Sequence, residues 1–123
     1  MSKVSMDDVN SLYQAIAGLP AISPVFDNLV WTEMAGGPYG GVYNSTEEII
    51  ENVFSKINAD WEDFALAPQE FVITDETIIM IGNYTGKSRK TGKALNARAV
   101  HIFKKSGDKL LFEQCTDTAL FRE

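Results

Sequence analysis

Residues 29–44, LVWTEMAGGPYGGVYN, form a short apolar run with one acid, Glu33, followed by a glycine-rich loop. The side chains of a strand alternate between two faces, so Trp31 and Glu33 lie on the same face. A carboxylate beside aromatic surface is costly to bury unless it is paired or neutralised. The run therefore predicts either a strand end that reaches solvent or a pocket that uses the charge.

Length, charge and cysteine content limit the class of protein. At 123 residues the chain fits one domain, residues 1–123, which buries a core without disulfides or metal. Cys115 is the only cysteine, which excludes an internal disulfide and agrees with a reducing compartment. The net charge of -6 repels nucleic acid and acidic lipid surfaces, so we expect neither nucleic acid nor a membrane as a partner. Residues 1–8 lack an apolar signal segment, which favours a soluble, cytoplasmic protein.

Two helices are predicted in the first half of the chain. Ser5 and Asp8 form a capping box before apolar residues at helical spacing. Ser45 and Glu48 repeat this signal before a second helix, and Ser23 precedes a proline that predicts a short helical turn between the two. The second helix has an amphipathic stripe that consists of Ile49, Ile50, Val53, Phe54 and Ile57.

The second half of the chain is predicted to be a sheet, because β-branched and aromatic residues alternate between turn signals from Asp60 onward. The predicted strands are Trp61 to Thr74, Thr77 to Gly86, Ala94 to Lys104 and Lys109 to about Thr118. Pro68 predicts a bend or an edge position for the first of them, since proline cannot donate to a central ladder. Four strands joined by short turns form an antiparallel meander with helices on one face, so the class is α+β.

The strand from Ala94 to Lys104 carries the only histidine of the chain, His101. The same face holds Ala97 and Ala99, whose small side chains leave space that could outline a cavity. The histidine is either a satisfied core residue or an acid/base group, because its ordinary pKa of about 6.5 lies near neutrality.

The last strand has two chemically different faces. Leu110, Phe112 and Gln114 share one face, and Asp117 belongs to the other. The apolar residues favour burial of the first face, which directs Gln114 toward a pocket. Asp117 joins that pocket only if a bulge or the strand end re-aims its side chain.

The glycine-rich loop does not match a dinucleotide-binding loop. The G-x-G-x-x-G pattern requires glycine at position 38, which is proline, and the antiparallel second half has no βαβ repeat. One histidine, one cysteine and scattered acids offer no pair at metal-ligand spacing. We therefore expect neither a cofactor nor a metal.

The order of elements, together with VWTEMAGGPY at 30–39 and QCTDTA at 114–119, resembles one known group of proteins. This group is the SnoaL-like, ketosteroid-isomerase-related branch of the nuclear transport factor 2-like superfamily. The resemblance covers nearly the whole chain and implies a cone-shaped, strongly curved antiparallel or mixed sheet wrapped around two to three N-terminal helices. It also implies an apolar pocket between sheet and helices, and a homodimer formed through the sheet.

The resemblance assigns roles to particular residues. Glu33 matches the acid that shuttles protons in ketosteroid isomerases, and Tyr13 matches the tyrosine that donates to their oxyanion. The position of their second donor is Ala99 here, so the resemblance does not extend to steroid isomerase activity. His101, two residues further on the same face, can replace the missing donor or act as the acid/base group. Asp117 resembles an acid that polyketide cyclases of the superfamily use near the chain end.

The resulting functional hypothesis is a small-molecule pocket protein that transfers a proton next to a carbonyl, in the manner of an isomerase or cyclase. Its ligand is expected to be a small apolar or cyclic molecule. The alternative is a non-catalytic ligand-binding or dimeric scaffold domain of the same fold. The catalytic candidates are Glu33, Tyr13, His101 and Asp117, and the expected pocket residues are Trp31, Tyr43, Phe54, Trp61, Tyr84, Ala97, Ala99 and Gln114.

Overall fold

The computed structural model describes residues 3–19 and 24–121. Helix α1 covers Met6–Ala17, a 3-10 turn covers Pro24–Asn28, and helix α2 covers residues 46–60. The predicted helix start at Ser23 lies outside the described residues. The strands are β1 Leu29–Glu33, β2 Gly41–Tyr43, β3 Trp61–Ile73, β4 Thr77–Ser88, β5 Ala94–Ser106 and β6 Lys109–Thr116. A second 3-10 turn covers Thr118–Phe121.

The strands form one curved, open sheet in the order β2-β1-β6-β5-β4-β3. Strand β1 runs parallel to β6, and the other neighbouring strands are antiparallel. The mixed sheet and its helices confirm the predicted α+β class. The parallel pairing brings the start of the chain to the far side of the meander, where β1 lies beside the last strand.

Helix α1 begins as predicted. The Ser5 hydroxyl accepts a hydrogen bond from the Asp8 amide at 3.3 Å, and the Asp8 carboxylate accepts one from the Ser5 amide at 2.9 Å. Both partners satisfy amides at the first turn that have no partner within the helix. The apolar face of α1 is buried through Val9, Leu12 and Ala15.

Helix α2 departs from the prediction in two ways. Ser45 accepts from the Glu48 amide at 3.1 Å, but the Glu48 carboxylate accepts from the Asn44 amide at 2.9 Å instead of from the amide of Ser45. The predicted second capping box is therefore only half formed. In addition, a π-helical turn, Ile50–Phe54, separates the α-helical segments Thr46–Ile49 and Ser55–Asp60. In such a turn the backbone hydrogen bonds join residues five positions apart, which widens the helix locally, and these turns are frequent at functional sites.

Strand β3 lies at the edge of the sheet and is bent, as Pro68 predicts. Its pairing with β4 shifts register between Glu62 and Ala65 and again between Pro68 and Glu70. Asp63, inside the first irregularity, has a positive φ of 55°. Bulges of this kind increase local twist and keep an edge strand from pairing with another chain.

Strand β2 and several strand ends differ from what the sequence predicts. The three residues of β2, Gly41–Tyr43, pair antiparallel with β1, but the glycine-rich sequence before them carries no strand pattern. Strands β4 and β5 each continue two residues beyond their predicted ends. Strand β6 ends earlier, at Thr116, because Asp117 begins a turn in which its carboxylate accepts from the Ala119 amide at 3.3 Å.

The register of the sheet places four buried side chains in one row. Glu33 pairs with Gln114, Gln114 with His101, and His101 with Met80, across strands β1, β6, β5 and β4. Neighbouring strands are about 4.8 Å apart, so the row spans about 15 Å. The predicted inner faces of β5, which carries His101, and of β6, which carries Gln114, are confirmed. Three members of the row, Glu33, Gln114 and His101, are polar.

Candidate functional site

A cavity of about 720 Å³ lies between the inner face of the sheet and the two helices. This volume is typical of pockets that hold small molecules or cofactors. Its walls contain eight aromatic rings: Tyr13, Trp31, Tyr39, Phe54, Trp61, Phe64, Tyr84 and Phe121. A small number of polar groups, Glu33, His101 and Gln114 among them, interrupt this apolar lining.

Glu33 faces this cavity from the end of strand β1 and is only 7% exposed. Of the two possibilities derived from the sequence, a solvent-exposed strand end or a pocket, the structure has the pocket. Burial disfavours the charged carboxylate and raises the pKa of Glu33 to about 8 from an ordinary value of 4.5. The indole N–H of Trp31 lowers this pKa in part, although it lies outside hydrogen-bonding geometry.

Two buried polar atoms of this wall have no hydrogen-bond partner among the residues the structure describes. They are Oε2 of Glu33 and Nε1 of Trp31, which belong to the same strand face. Trp31 is fixed by packing, because the centroid of its ring lies 4.2 Å from the ring centroid of Phe112 and 5.4 Å from that of Phe54. Leaving a buried polar group without a partner lowers the stability of a fold by about 1–3 kcal/mol. A ligand that forms hydrogen bonds with these two atoms would remove this cost.

His101 lies between two tyrosine hydroxyl groups. Its Nδ1 is 2.8 Å from the Tyr13 hydroxyl, and its Nε2 is 2.5 Å from the Tyr84 hydroxyl. The side chain is 4% exposed, and burial lowers the pKa of His101 to about 3. The imidazole is therefore neutral at ordinary pH, with one nitrogen that donates and one that accepts.

Both tyrosines keep their protons near neutral pH. Burial raises the pKa of Tyr13 and of Tyr84 well above the ordinary phenol value of 10. For Tyr84 the nearby Gln114 side chain offsets part of this rise in pKa. Tyr13 comes from helix α1, and its ring packs edge-to-face against Phe103 at 5.7 Å. The two hydroxyls therefore act as hydrogen-bond donors and do not serve as bases.

A second polar cluster holds the glycine-rich loop against the end of helix α2. Tyr39 donates to the Asp60 carboxylate at 2.8 Å and accepts from the Trp61 indole at 3.1 Å. The Tyr43 hydroxyl donates to the backbone oxygen of Tyr39 at 2.8 Å. Gly41, with a φ of 149°, lies so close to the Tyr43 ring that a Cβ would stand 2.9 Å from its hydroxyl oxygen. These contacts fix the loop that forms one wall of the cavity.

The structure brings eight of the twelve predicted site residues to the cavity wall. They are Tyr13, Trp31, Glu33, Phe54, Trp61, Tyr84, His101 and Gln114.

The other four predicted residues do not line the cavity. Asp117 is exposed, because the chain turns away from the sheet at this residue and no bulge re-aims its side chain inward. Tyr43 anchors the glycine-rich loop instead. Ala97 and Ala99 are buried in the sheet, and Ala97 pairs directly with Tyr84, whose ring needs the space that a small neighbour leaves.

Three aromatic side chains of the wall were not identified from the sequence. Tyr39 stands in the glycine-rich loop, where no periodicity applies, and Phe64 lies in the irregular part of strand β3. Phe121 belongs to the last 3-10 turn, and its ring lies 5.7 Å from that of Trp61 and 5.8 Å from that of Tyr84. A four-residue turn has no repeat that would reveal which side chain points inward.

Neither a metal cluster nor a membrane span is found in the described part of the chain. Residues 3–19 and 24–121 contain no group of three or more histidine, cysteine or acidic side chains that could hold a metal ion. In the same ranges, no helix has the length and apolar character needed to cross a membrane.

Comparison with known proteins identifies the family. No family model and no curated protein matches the sequence. Among solved structures, an NTF2-like protein from Burkholderia thailandensis is 33% identical, with a TM-score of 0.77, over 98% of this chain and 95% of that chain. The chain therefore belongs to the NTF2-like family, which confirms the resemblance and the fold stated above.

More distant structures share the fold alone. TerC, co-crystallised with polyporic acid, is 20% identical, with a TM-score of 0.71, over 93% of this chain and 94% of its own. A candidate SnoaL-like polyketide cyclase from Shewanella denitrificans is 15% identical, with a TM-score of 0.67, over 94% and 91% of the two chains. Ketosteroid isomerase-like folds also match, so the resemblance to this branch is confirmed for the architecture.

Proposed function

We propose that the protein binds a small apolar or cyclic molecule in the cavity and transfers a proton next to its carbonyl group. One observation carries this proposal: Glu33 is buried in an aromatic cavity with Oε2 unpartnered among the described residues. A base whose pKa lies near the working pH combines a usable ionised fraction with a strong driving force for proton transfer. At pH 7 about a tenth of Glu33 is ionised, given its pKa of about 8.

The mechanism uses two residues of the cavity wall. The Glu33 carboxylate removes a proton from the carbon next to the carbonyl, and the electron pair of that C–H bond moves onto the carbonyl oxygen to form an enolate. The Tyr13 hydroxyl donates a hydrogen bond to this oxygen, which stabilises the developing charge in a site of low polarity. Glu33 then returns the proton to a different carbon of the same molecule, so the reaction is an isomerisation with no net change in composition.

The alternative function is a non-catalytic ligand-binding domain, and two observations favour it. Burial keeps most of Glu33 protonated at pH 7, in which state it is a hydrogen-bond donor. Ala99 occupies the place where the resemblance to ketosteroid isomerases puts their second donor, and it does not reach the cavity. TerC, with the same fold, was co-crystallised with polyporic acid, which supports ligand binding without specifying a reaction.

A hydrogen-exchange experiment separates the two functions. Cyclic ketones that raise the melting temperature are incubated with the protein in D₂O, and NMR follows the loss of the protons next to the carbonyl. We expect the natural protein to accelerate exchange and Glu33→Gln to lose at least two orders of magnitude of that acceleration. Glu113→Gln, on the exposed face of β6, is the matched control and should exchange at the natural rate. Ketone binding without accelerated exchange in the natural protein would establish the alternative.

We also propose a homodimer through the outer face of the sheet. On this face, Ile79 pairs with Ile102 and Ile81 pairs with Val100, and all four are only partly covered in the single chain. Such a contiguous apolar patch on the outside of a sheet favours contact with another protein surface. Identical patches meet across a two-fold axis, which is the commonest arrangement of homo-oligomers.

A further inference from the structure

The number of available hydrogens limits how many hydrogen bonds the linked side chains of Tyr13, His101 and Tyr84 can donate to a ligand. A neutral imidazole has one N–H and one lone pair, and each phenol has one O–H. The two hydrogen bonds of 2.8 and 2.5 Å use two of these three hydrogens. The third hydrogen must therefore belong to one of the two tyrosines and be directed away from His101. Both hydroxyl-bearing rings line the cavity.

Burial decides which tyrosine keeps the free hydrogen. Tyr84 is only 7% exposed, so a free hydroxyl hydrogen on it would need a buried acceptor. The hydrogen bond that the Tyr84 hydroxyl makes within the described residues is the one with His101, so its hydrogen is satisfied when Tyr84 donates to Nε2. The imidazole proton then belongs on Nδ1, which donates to Tyr13. Tyr13 is only partly buried and lines the cavity, so its own hydrogen can be directed to a ligand.

We infer that His101 is a positioning residue, held with its proton on Nδ1 by Tyr84, so that Tyr13 presents to the ligand the one free hydroxyl hydrogen of these three side chains. His101 itself then has neither a free hydrogen nor a free lone pair for the ligand. The ligand class follows: an apolar, ring-sized molecule with one acceptor oxygen, such as a ketone or an enolate. This substrate class rests on the proposed function, whereas the arrangement of the three hydrogens does not.

The donor character of the rest of the wall agrees with an acceptor oxygen on the ligand. The unpartnered indole N–H of Trp31 is a donor, and Glu33 in its protonated form is a second. Glu33 lies on β1, two strands from His101, so protonated Glu33 and the Tyr13 hydroxyl donate from separate parts of the wall. A ligand without an acceptor oxygen would leave all of these hydrogens unsatisfied.

The position of the imidazole proton can be measured directly, because His101 is the only histidine of the chain. Nitrogen-15 NMR distinguishes a ring nitrogen that bears hydrogen from one that does not. We expect a neutral ring with the hydrogen on Nδ1 from pH 5 to pH 8. A hydrogen on Nε2, or a doubly protonated ring in this range, would overturn the inference. The natural protein alone decides this outcome, so it does not depend on a variant that fails to fold.

A binding comparison tests the positioning role. The probes are 2-acetylnaphthalene, which has an acceptor oxygen, and 2-isopropenylnaphthalene, which has the same shape without one. We expect Tyr13→Phe to weaken binding of the ketone about tenfold and to leave the hydrocarbon unchanged. His101→Leu should do the same, and His101→Gln should restore part of the difference because its amide can again donate to Tyr13. Equal losses for both probes in His101→Leu would mean a purely structural role.

The two proposals fail in different ways. A natural protein that shows the Nδ1–H form and prefers the ketone, but does not accelerate exchange, refutes proton transfer and leaves the hydrogen arrangement intact. A natural protein that accelerates exchange with the imidazole proton on Nε2 refutes the positioning role and leaves Glu33 as the base.

Discussion

At the scale of single residues, the buried carboxyl group of Glu33 makes the stability of the fold depend on pH. Its carboxyl group is buried, and its pKa of about 8 in the folded chain exceeds the ordinary value of 4.5. Folding therefore favours the protonated form. The resulting loss in free energy of unfolding is absent below pH 4.5. It grows between pH 4.5 and 8, where Glu33 is ionised in the unfolded chain but not in the folded one, and is complete above pH 8.

This linkage predicts a pH-dependent stabilisation by Glu33→Gln. The neutral amide has no ionisation to lose, so the variant should gain stability over the natural protein as pH rises. We expect its advantage in free energy of unfolding to be about 2–3 kcal/mol larger at pH 7 than at pH 5. Urea unfolding at the two pH values measures it. An advantage independent of pH would show that Glu33 ionises as freely in the folded chain as in the unfolded one.

At the scale of elements, the π-helical turn of α2 shapes the cavity. Phe54 is the last residue of this turn and is half-buried. Its ring packs edge-to-face against that of Trp31, with an angle of 77° between the two ring planes. Ile49, one turn earlier, is 1% exposed and does not line the cavity. The same helix therefore contributes one side chain mainly to the core and another mainly to the wall, which permits a paired test.

Phe54→Ala and Ile49→Ala should separate stability from ligand binding. Ile49→Ala should lower the free energy of unfolding by about 2–5 kcal/mol and leave ligand affinity unchanged. Phe54→Ala should cost about 3 kcal/mol, at the low end for phenylalanine because its ring already borders a cavity, and should also weaken the ligand. Denaturant melts and a thermal shift with a bound ketone measure both effects. Unchanged stability in Phe54→Ala would contradict the packing of α2 on the sheet.

At the scale of the whole molecule, the outer sheet face is the surface that we propose for self-association. The four partly covered aliphatic side chains of β4 and β5 lie between exposed Arg98 and Lys104. A charge placed at the centre of this patch would be buried against its own copy, at a cost that a dimer cannot offset without a partner charge.

Light scattering tests the dimer. The natural protein should give twice the chain mass of 13.6 kDa at micromolar concentration. Val100→Glu should give the single-chain mass with the melting cooperativity retained, whereas Thr85→Glu, at an exposed position of β4, should remain dimeric. A natural protein of 13.6 kDa at these concentrations would contradict the proposed interface.

The sequence by itself determined which side chains share a strand face. Period-two alternation requires only the geometry of a strand, so it identified His101 and Gln114 on inner faces and Trp31 beside Glu33. The capping residues of α1 likewise act on amides three residues away, and the sequence was sufficient to place the start of that helix.

Only the tertiary structure decided how these faces meet. The parallel pairing of β1 with β6 joins residues about eighty positions apart, and it alone places Glu33 next to Gln114 and in the same row as His101. The last 3-10 turn brings Phe121 to the cavity through backbone geometry that has no repeat in the sequence. The same register leaves Asp117 exposed, because the strand ends one residue before it. Local periodicity gives the direction of a side chain, and long-range pairing gives its neighbours.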